Sequence, residues 1–305
     1  MTVLGIDIGA SKLLAVTGGA AGFRVRRDTG SALGPDEAIE AIADVFERAR
    51  DQLAVHAVGV GFPGLVDHAR GLVRSSVMLE GWRDVPLAAR LEDRLGVPCA
   101  VDNDVNAAAL WELGCRRAPD FLFVAVGTGI GGALVLGGRV HRGASGLAGE
   151  IGHVVTDRGG APCTCGRRGC VNRRASGSAI EAAAGLPAGA LRERRAVPGR
   201  GRLAALERAV TDGAAALGAA IGDALNLLDL PLVVLGGGIA ELGPSYVEAV
   251  AAAARRECFG EIGGACAFEA ARGGYDGAAR GAAELAGQRV AGQPDSSAIW
   301  PSASA

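Results

Sequence analysis

Aromatic side chains are scarce: Phe, Trp and Tyr together make up 4% of the 305 residues, and methionine occurs twice. A core without many rings must be built from aliphatic chains and close backbone contacts, which the 49 glycines permit. Apolar runs of the ~20 residues that span a bilayer are missing. So is an N-terminal charged-then-apolar signal segment, and the expected setting is the cytoplasm. Charge of one sign is lacking as well. The formal net charge is −2 and no basic block stands out, so neither nucleic acid nor an anionic membrane surface is indicated as a partner. Of the seven cysteines, Cys99, Cys115, Cys258 and Cys266 read as reduced, buried small residues rather than a disulfide framework.

The other three cysteines lie in the stretch 150–172, EIGHVVTDRGGAPCTCGRRGCVN. His153, Cys163, Cys165 and Cys170 give H-x9-C-x-C-x4-C, a donor set that closes a tetrahedral zinc site without water. Gly159, Gly160, Gly166 and Gly169 allow the turns that such convergence needs. A redox pair at Cys163 and Cys165, or clustered free thiols, are the alternatives. Four ligands within one short loop favour zinc. Glu150 precedes His153 by three residues, so on a helical turn the two share a face. A zinc-bound imidazole keeps its second ring nitrogen as a donor, and His153 is expected to aim it at a ligand beside Glu150.

Elsewhere the chain alternates apolar strands with amphipathic helices, which implies an α/β fold. Val3–Gly9 reads as a buried strand, followed by Ala10, Ser11, Lys12 and a second strand. Such a turn can offer N–H groups and a cation to a phosphate, with Asp7 near a water-bridged Mg²⁺. An ordinary glycine-rich hairpin explains this segment equally well. Residues 35–53 carry a helical apolar face. A strand from Val97 ends in Asp102-Asn103-Asp104 before an alanine-rich helix, where capping explains one polar residue and not three. Gly127-Thr128-Gly129-Ile130-Gly131-Gly132 spells G-x-G-x-x-G, yet a strand rather than a helix follows, which argues against a dinucleotide site. Gly236-Gly237-Gly238 follows a buried strand and could let a flat ring lie against backbone.

The zinc stretch resembles the signature of the ROK family (repressors, open reading frames and sugar kinases), and the other motifs fall into that family's order over roughly residues 2 to 286. The resemblance implies a two-lobed actin-like or hexokinase-like ATPase fold of duplicated ribonuclease H-like domains with a small zinc-binding loop. The lobes expected are 1–110 and 111–275, with a helix at about 276–287 returning to the first and a disordered tail at 288–305. It implies an ATP-dependent kinase acting on the 6-hydroxyl of a hexose, with Mg²⁺ and a structural Zn²⁺. ATP is expected between the lobes, held by Asp7, Gly9, Ala10, Ser11 and Lys12, by Gly127, Thr128, Gly129 and Gly131, and by Gly236, Gly237 and Gly238 around the adenosine. Asp104 is the implied catalytic base, with Gly64, Asn103, Glu150, His153 and position 172 at the sugar.

Two departures bear on the substrate. Asn172 stands where the family's sugar kinases usually have Glu, and Met78 precedes Leu79-Glu80-Gly81-Trp82 where they commonly have Asn. The expected acceptor is glucose or an amino-deoxyglucose such as glucosamine or kanosamine, the two departures weighing against plain glucose. A sugar-sensing ROK protein without turnover and an N-acetylhexosamine kinase are the alternatives. A first strand at Val3 leaves no room for the regulators' N-terminal DNA-binding domain. Family members are often dimers or tetramers, and a homo-oligomer is expected.

Overall fold

A computed structural model describes residues 1–292 apart from 10–11, 18–21, 30–32 and 192–199. The chain divides into two compact units. One comprises Met1–Pro119, Leu134–Ala148 and the segment from Tyr275; the other comprises Asp120–Ala133 and Gly149–Gly274.

The first unit opens with β1 (Thr2–Ile8), β2 (Lys12–Thr17) and β3 (Arg24–Asp28), an antiparallel meander. Helix α1 (Pro35–Arg50) follows. Pro35 presets its first turn, Asp36 and Glu37 sit at its positive end and Arg48 and Arg50 at its negative end. Its buried face carries Ile39, Ile42, Val45 and Phe46 against Leu4, Ile6 and Phe62 in one core. Each such side chain contributes roughly 1.5–3 kcal/mol by leaving water. Strand β4 (Val55–Phe62) is parallel to β1. A small antiparallel sheet of β5 (Leu65–Asp67), β6 (Leu72–Ser75) and β7 (Arg83–Val85) comes next. Helix α2 (Leu87–Leu95) starts after the short β7, and Gly96, at φ +70°, ends it. Strand β8 (Cys99–Asn103) runs parallel to β4 and leads into α3 (Asp104–Cys115). The main sheet is ordered β3-β2-β1-β4-β8.

The second sheet repeats this plan. Strands β9 (Phe121–Val126), β10 (Ile130–Leu136) and β11 (Arg139–His141) come first, and the division between the units falls inside β10. The zinc stretch, α4 (Asn172–Ala175), α5 (Gly177–Ala183) and the long α6 (Arg200–Leu228) precede β12 (Leu232–Gly236). Helices α7 (Pro244–Glu257) and α8 (Gly260–Ala265) and strand β13 (Ala267–Ala270) follow. The order is β11-β10-β9-β12-β13, with β12 parallel to both β9 and β13. A meander continued by two parallel strands in each sheet is the mark of a duplicated α/β unit. Helix α6 meets α7 closely because Gly218 has no side chain: a Cβ there would lie 2.3 Å from that of Ala253.

The last helix, α9 (Gly277–Val290), packs on β1, β4 and α3 of the first unit. It runs past residue 287, so 288–290 are helical, and the rest of the expected tail from 293 lies outside the described residues. Backbone meets backbone here. A Cβ on Gly59 would lie 1.7 Å from the Ala282 carbonyl oxygen, and one on Gly281 1.7 Å from that of Ala107. No helix among the described residues is long and apolar enough to cross a membrane.

Candidate active site

The C-terminal edge of the first sheet gathers the polar residues of that unit. Asp7 pairs in register with Gly61, and Gly61 with Asp102, so three strands end side by side. Asn103 caps α3: its Oδ1 accepts the N–H groups of Val105 and Asn106 at 2.9 and 3.2 Å, and its Nδ2 donates to the Gly64 carbonyl at 3.1 Å. Asp104 opens the helix, with Oδ1 accepting the N–H of Val105 at 2.9 Å. Gly61 has to be small here, since a Cβ would meet the Asp104 Cα at 3.3 Å. Asn103 and Asp104 thus sit on one strand-to-helix turn, and the Nδ2 bond brings Gly64, from the turn between β4 and β5, against it.

Asp102 underlies that turn. It is buried, and Arg142 grips it with Nε and Nη2 at 2.9 and 2.6 Å. Asp102 Oδ1 also accepts the N–H of Asn103 at 2.7 Å and Nδ2 of Asn106 at 3.1 Å. A buried carboxylate satisfied on every side fixes the peptide that carries Asp104.

At the β1–β2 turn, the Gly9 N–H donates to the Lys12 carbonyl at 2.7 Å. Ala10 and Ser11 lie outside the described residues. Burial pushes the Asp7 carboxyl up to about 6, opposed by the Lys12 charge. A carboxylate held in a desolvated place suits a bound cation more than solvent. Lys12 is the single lysine of the sequence, its cationic needs elsewhere being met by arginine. Its Nζ stands 5.2 Å from the ring centre of Tyr275.

In the second unit the turn Gly127–Gly131 is held from three sides. Gly127 N–H donates to the Gly129 carbonyl at 2.8 Å, and Ser178 Oγ to that of Thr128 at 2.8 Å. Asn172 Oδ1 accepts the N–H of Ile130 at 2.8 Å. The Ile239 N–H donates to Val126 at 2.9 Å, which ties the Gly236–Gly238 segment to the same strand end. Gly237 has φ +84°, and a Cβ there would strike the Val126 backbone. Beside it lies a cavity of about 430 Å³ whose walls include Gly236, Gly237, Ala240, Pro244, Val247 and Phe268. An apolar cavity of this size with backbone polar groups at its edge suits a planar ring.

The four candidate zinc ligands converge as their spacing predicts. The donor atoms of His153, Cys163, Cys165 and Cys170 all lie within 4.8 Å of one another. Cys165 Sγ is 3.5 Å from Cys170 Sγ, and Cys163 Sγ is 3.6 Å from His153 Nδ1. Zinc–ligand bonds of 2.0–2.3 Å at tetrahedral angles place neighbouring donors about 3.5–3.8 Å apart, so the set fits the ion. Gly169 makes the knuckle possible. It sits at φ +74°, and a Cβ would overlap the Asp157 carbonyl. The Arg167 backbone N–H pulls the exposed Cys165 thiol down to about 6, while burial pushes Cys170 up to about 12. A buried thiol of that kind ionises only for a cation. His153 ends a 3₁₀ turn (Ile151–His153) preceded by Glu150, and its Nε2 is 3.9 Å from Glu150 Oε2. One ring nitrogen faces the cysteines and the other faces Glu150.

The sequence pattern of the ROK family matches residues 3–289. The chain belongs to the ROK family. Among ROK proteins, a glucokinase from Halalkalibacterium halodurans is 34% identical over 213 residues, 63% of this chain and 64% of that one. The chain thus spans just under two thirds of that relative's length. A ROK hexokinase from Thermus thermophilus is 34% identical, with a TM-score of 0.78 over 96% of this chain and 100% of that one. A ROK family glucokinase from Streptomyces griseus, in complex with glucose and AMPPNP, is 28% identical with a TM-score of 0.80 over 94% and 100%. The fold is accordingly the two-lobed actin-like and hexokinase-like one, carrying a Cys/His cluster that could hold zinc.

Two residues of this ROK chain escape a reading by motif. Arg142 lies 40 positions from Asp102 and shares no local pattern with it. Ser178 sits in a helix start, where capping accounts for a serine, and its bond to Thr128 depends on how α5 meets β9.

Proposed function

We propose that the chain is an ATP-dependent sugar kinase that transfers a phosphoryl group to the 6-hydroxyl of a hexose. The observation that carries this reading is Asp104, presented with Asn103 and Gly64 at the sheet edge that also holds Asp7. Its carboxylate would orient the acceptor hydroxyl and take its proton. In a loose phosphoryl-transfer transition state that role is mainly alignment. Asn103 Nδ2 and the Gly64 backbone line the sugar side, and Glu150 with the Nε2–H of His153 would bind ring hydroxyls.

The nucleotide's phosphates have two grips, Gly9–Lys12 and Gly127–Gly131, with the ring against Gly236–Gly238. The Streptomyces griseus relative, in complex with glucose and AMPPNP, supports a nucleotide as the ligand. Asp7 would stand beside Mg²⁺, whose charge would offset that of the phosphates. Zinc would be structural: with four protein donors it has no open position for water. With Nδ1 on the metal, His153 would be held in the tautomer that leaves Nε2 as a donor. Asn172, an amide in place of a carboxylate, supports a substrate other than plain glucose, with an amino-deoxyglucose as the finer reading.

The test is ADP release with Mg-ATP against glucose, mannose, glucosamine, kanosamine, N-acetylglucosamine and N-acetylmannosamine. Turnover on at least one sugar is expected, falling at least about 100-fold in Asp104→Asn, since loss of a positioned proton acceptor costs ~10²–10⁴. No ADP release with a folded, zinc-loaded protein would overturn the assignment.

A further inference from the structure

A second cavity, of about 500 Å³, lies under the loop Ser75–Arg83 in the first unit. The loop is a built feature. Ser76 Oγ donates to the Pro63 carbonyl at 2.7 Å and accepts the N–H groups of Met78 and Leu79 at 3.1 and 3.2 Å. Trp82 is buried, its ring centre 4.3 Å from that of Phe62 and its Nε1–H donating to the Leu33 carbonyl at 2.9 Å. With both ends so anchored, the loop still leaves Val77 86% and Met78 45% exposed. Two large apolar side chains are thereby held at the cavity and out of the core.

The loop also touches the turn that carries Asp104. A Cβ on Gly64 would meet the Ser75 carbonyl oxygen at 2.5 Å, and the Gly64 carbonyl accepts Asn103 Nδ2 at 3.1 Å. Ser75, Gly64 and Asn103 are therefore one contiguous surface.

We infer that Val77 and Met78 form an apolar wall of the acceptor site and that Met78 is a specificity-determining residue. The acceptor it favours is a hexose with a deoxy carbon or an alkyl-bearing substituent, rather than a bare hydroxyl, on the face turned to this wall. The inference rests on the kinase reading above. A hydroxyl pressed against a thioether and an isopropyl group loses water and gains no partner, whereas an alkyl group gains contact. The flexible thioether moulds itself to either kind of apolar group. Glu80 and Arg83, on the polar side of the cavity, remain for the other hydroxyls. An apolar pocket discriminates by about 10- to 100-fold and no more.

The experiment compares kcat/KM for glucose with that for 2-, 3- and 4-deoxyglucose and N-acetylglucosamine, in the full chain and in Met78→Gln. At least one analogue is expected to exceed glucose by about tenfold. Met78→Gln, of similar length but able to hydrogen-bond, should erase that preference through KM with kcat held. Met78→Ala should lower kcat/KM for the analogue by a larger factor than it lowers that for glucose. Glucose preferred over every analogue, or a preference unaltered in both variants while ADP is still released, overturns the wall and leaves the kinase standing. No ADP release with any of these sugars, from a folded protein, removes both.

Discussion

Asn172 accepts the backbone N–H of Ile130 through Oδ1 at 2.8 Å, so the residue two places after the last zinc cysteine braces the turn Gly127–Gly131. The Cys/His knuckle and the turn Gly127–Gly131 are mechanically one piece. Asn172→Ala should loosen that turn. A net hydrogen bond of about 1 kcal/mol predicts roughly a fivefold rise in KM for ATP. Asn172→Asp keeps an acceptor at the same reach and should stay within about twofold of the parent. Steady-state kinetics in ATP at saturating sugar decides it, and equal effects of the two substitutions would rule the brace out.

The zinc assignment predicts one equivalent of zinc per chain by elemental analysis. Cys163→Ser or Cys170→Ser should lose the metal, because both sulfurs are buried and only a thiolate ligand answers to that environment. Sugar affinity should fall with the metal, since His153 then loses its fixed orientation. Cys99→Ser, far along the sequence and outside the cluster, should keep both the metal and the affinity.

How much of this was readable before the fold was known follows from the reach of each interaction. The zinc ligands and their glycines sit in one short loop, so spacing alone brought His153, Cys163, Cys165 and Cys170 together. Glu150 beside His153 followed from a three-residue offset on a helical turn, which the 3₁₀ segment supplies. The α/β class followed from the alternation of apolar strands and amphipathic helices. What stayed hidden depends on pairing across long separations. Asp102 looked like one of three unexplained polar residues, and its reason, Arg142, arrives from another strand's end. Asn103 is both the capping residue and the donor to Gly64, and only the second of these requires the fold. Gly59 and Gly281 carry no motif at all; the approach of α9 gives them their purpose.

Glu284, on α9 opposite Gly114, makes stability depend on pH. Burial raises its carboxyl from 4.5 to about 7. The folded state therefore holds this proton more tightly than the unfolded chain. Its stabilising contribution is full below about 4.5 and is lost as pH rises through about 7. Glu284→Gln, which cannot ionise, should match the parent near pH 4.5 and exceed it above pH 7.5 by on the order of 2–3 kcal/mol. Denaturant unfolding at pH 4.5, 6 and 8 measures the divergence. A constant difference across that range would show that the glutamate is not desolvated.

The Asp102–Arg142 pair separates positioning from chemistry. Both residues are buried, and the His68 ring nitrogen, 3.9 Å from Asp102 Oδ2, is too far to replace the two bonds from Arg142. Arg142→Met should therefore destabilise the protein by about 3–5 kcal/mol, since it strands a buried charge. Adding Asp102→Asn removes that charge and should restore most of the stability, because an apolar or neutral pair is close to neutral for folding. Catalysis should not return with it. Asp102 Oδ1 accepts both the Asn103 N–H and Asn106 Nδ2, and the amide keeps that oxygen, but the two bonds by which Arg142 clamps the other end of the side chain at Oδ2 are gone. With the peptide before Asp104 free to shift, kcat should remain at least about tenfold down in the double variant while KM for ATP holds, as expected when only the geometry of attack is disturbed. Recovery of kcat together with stability would show instead that the pair serves the fold alone.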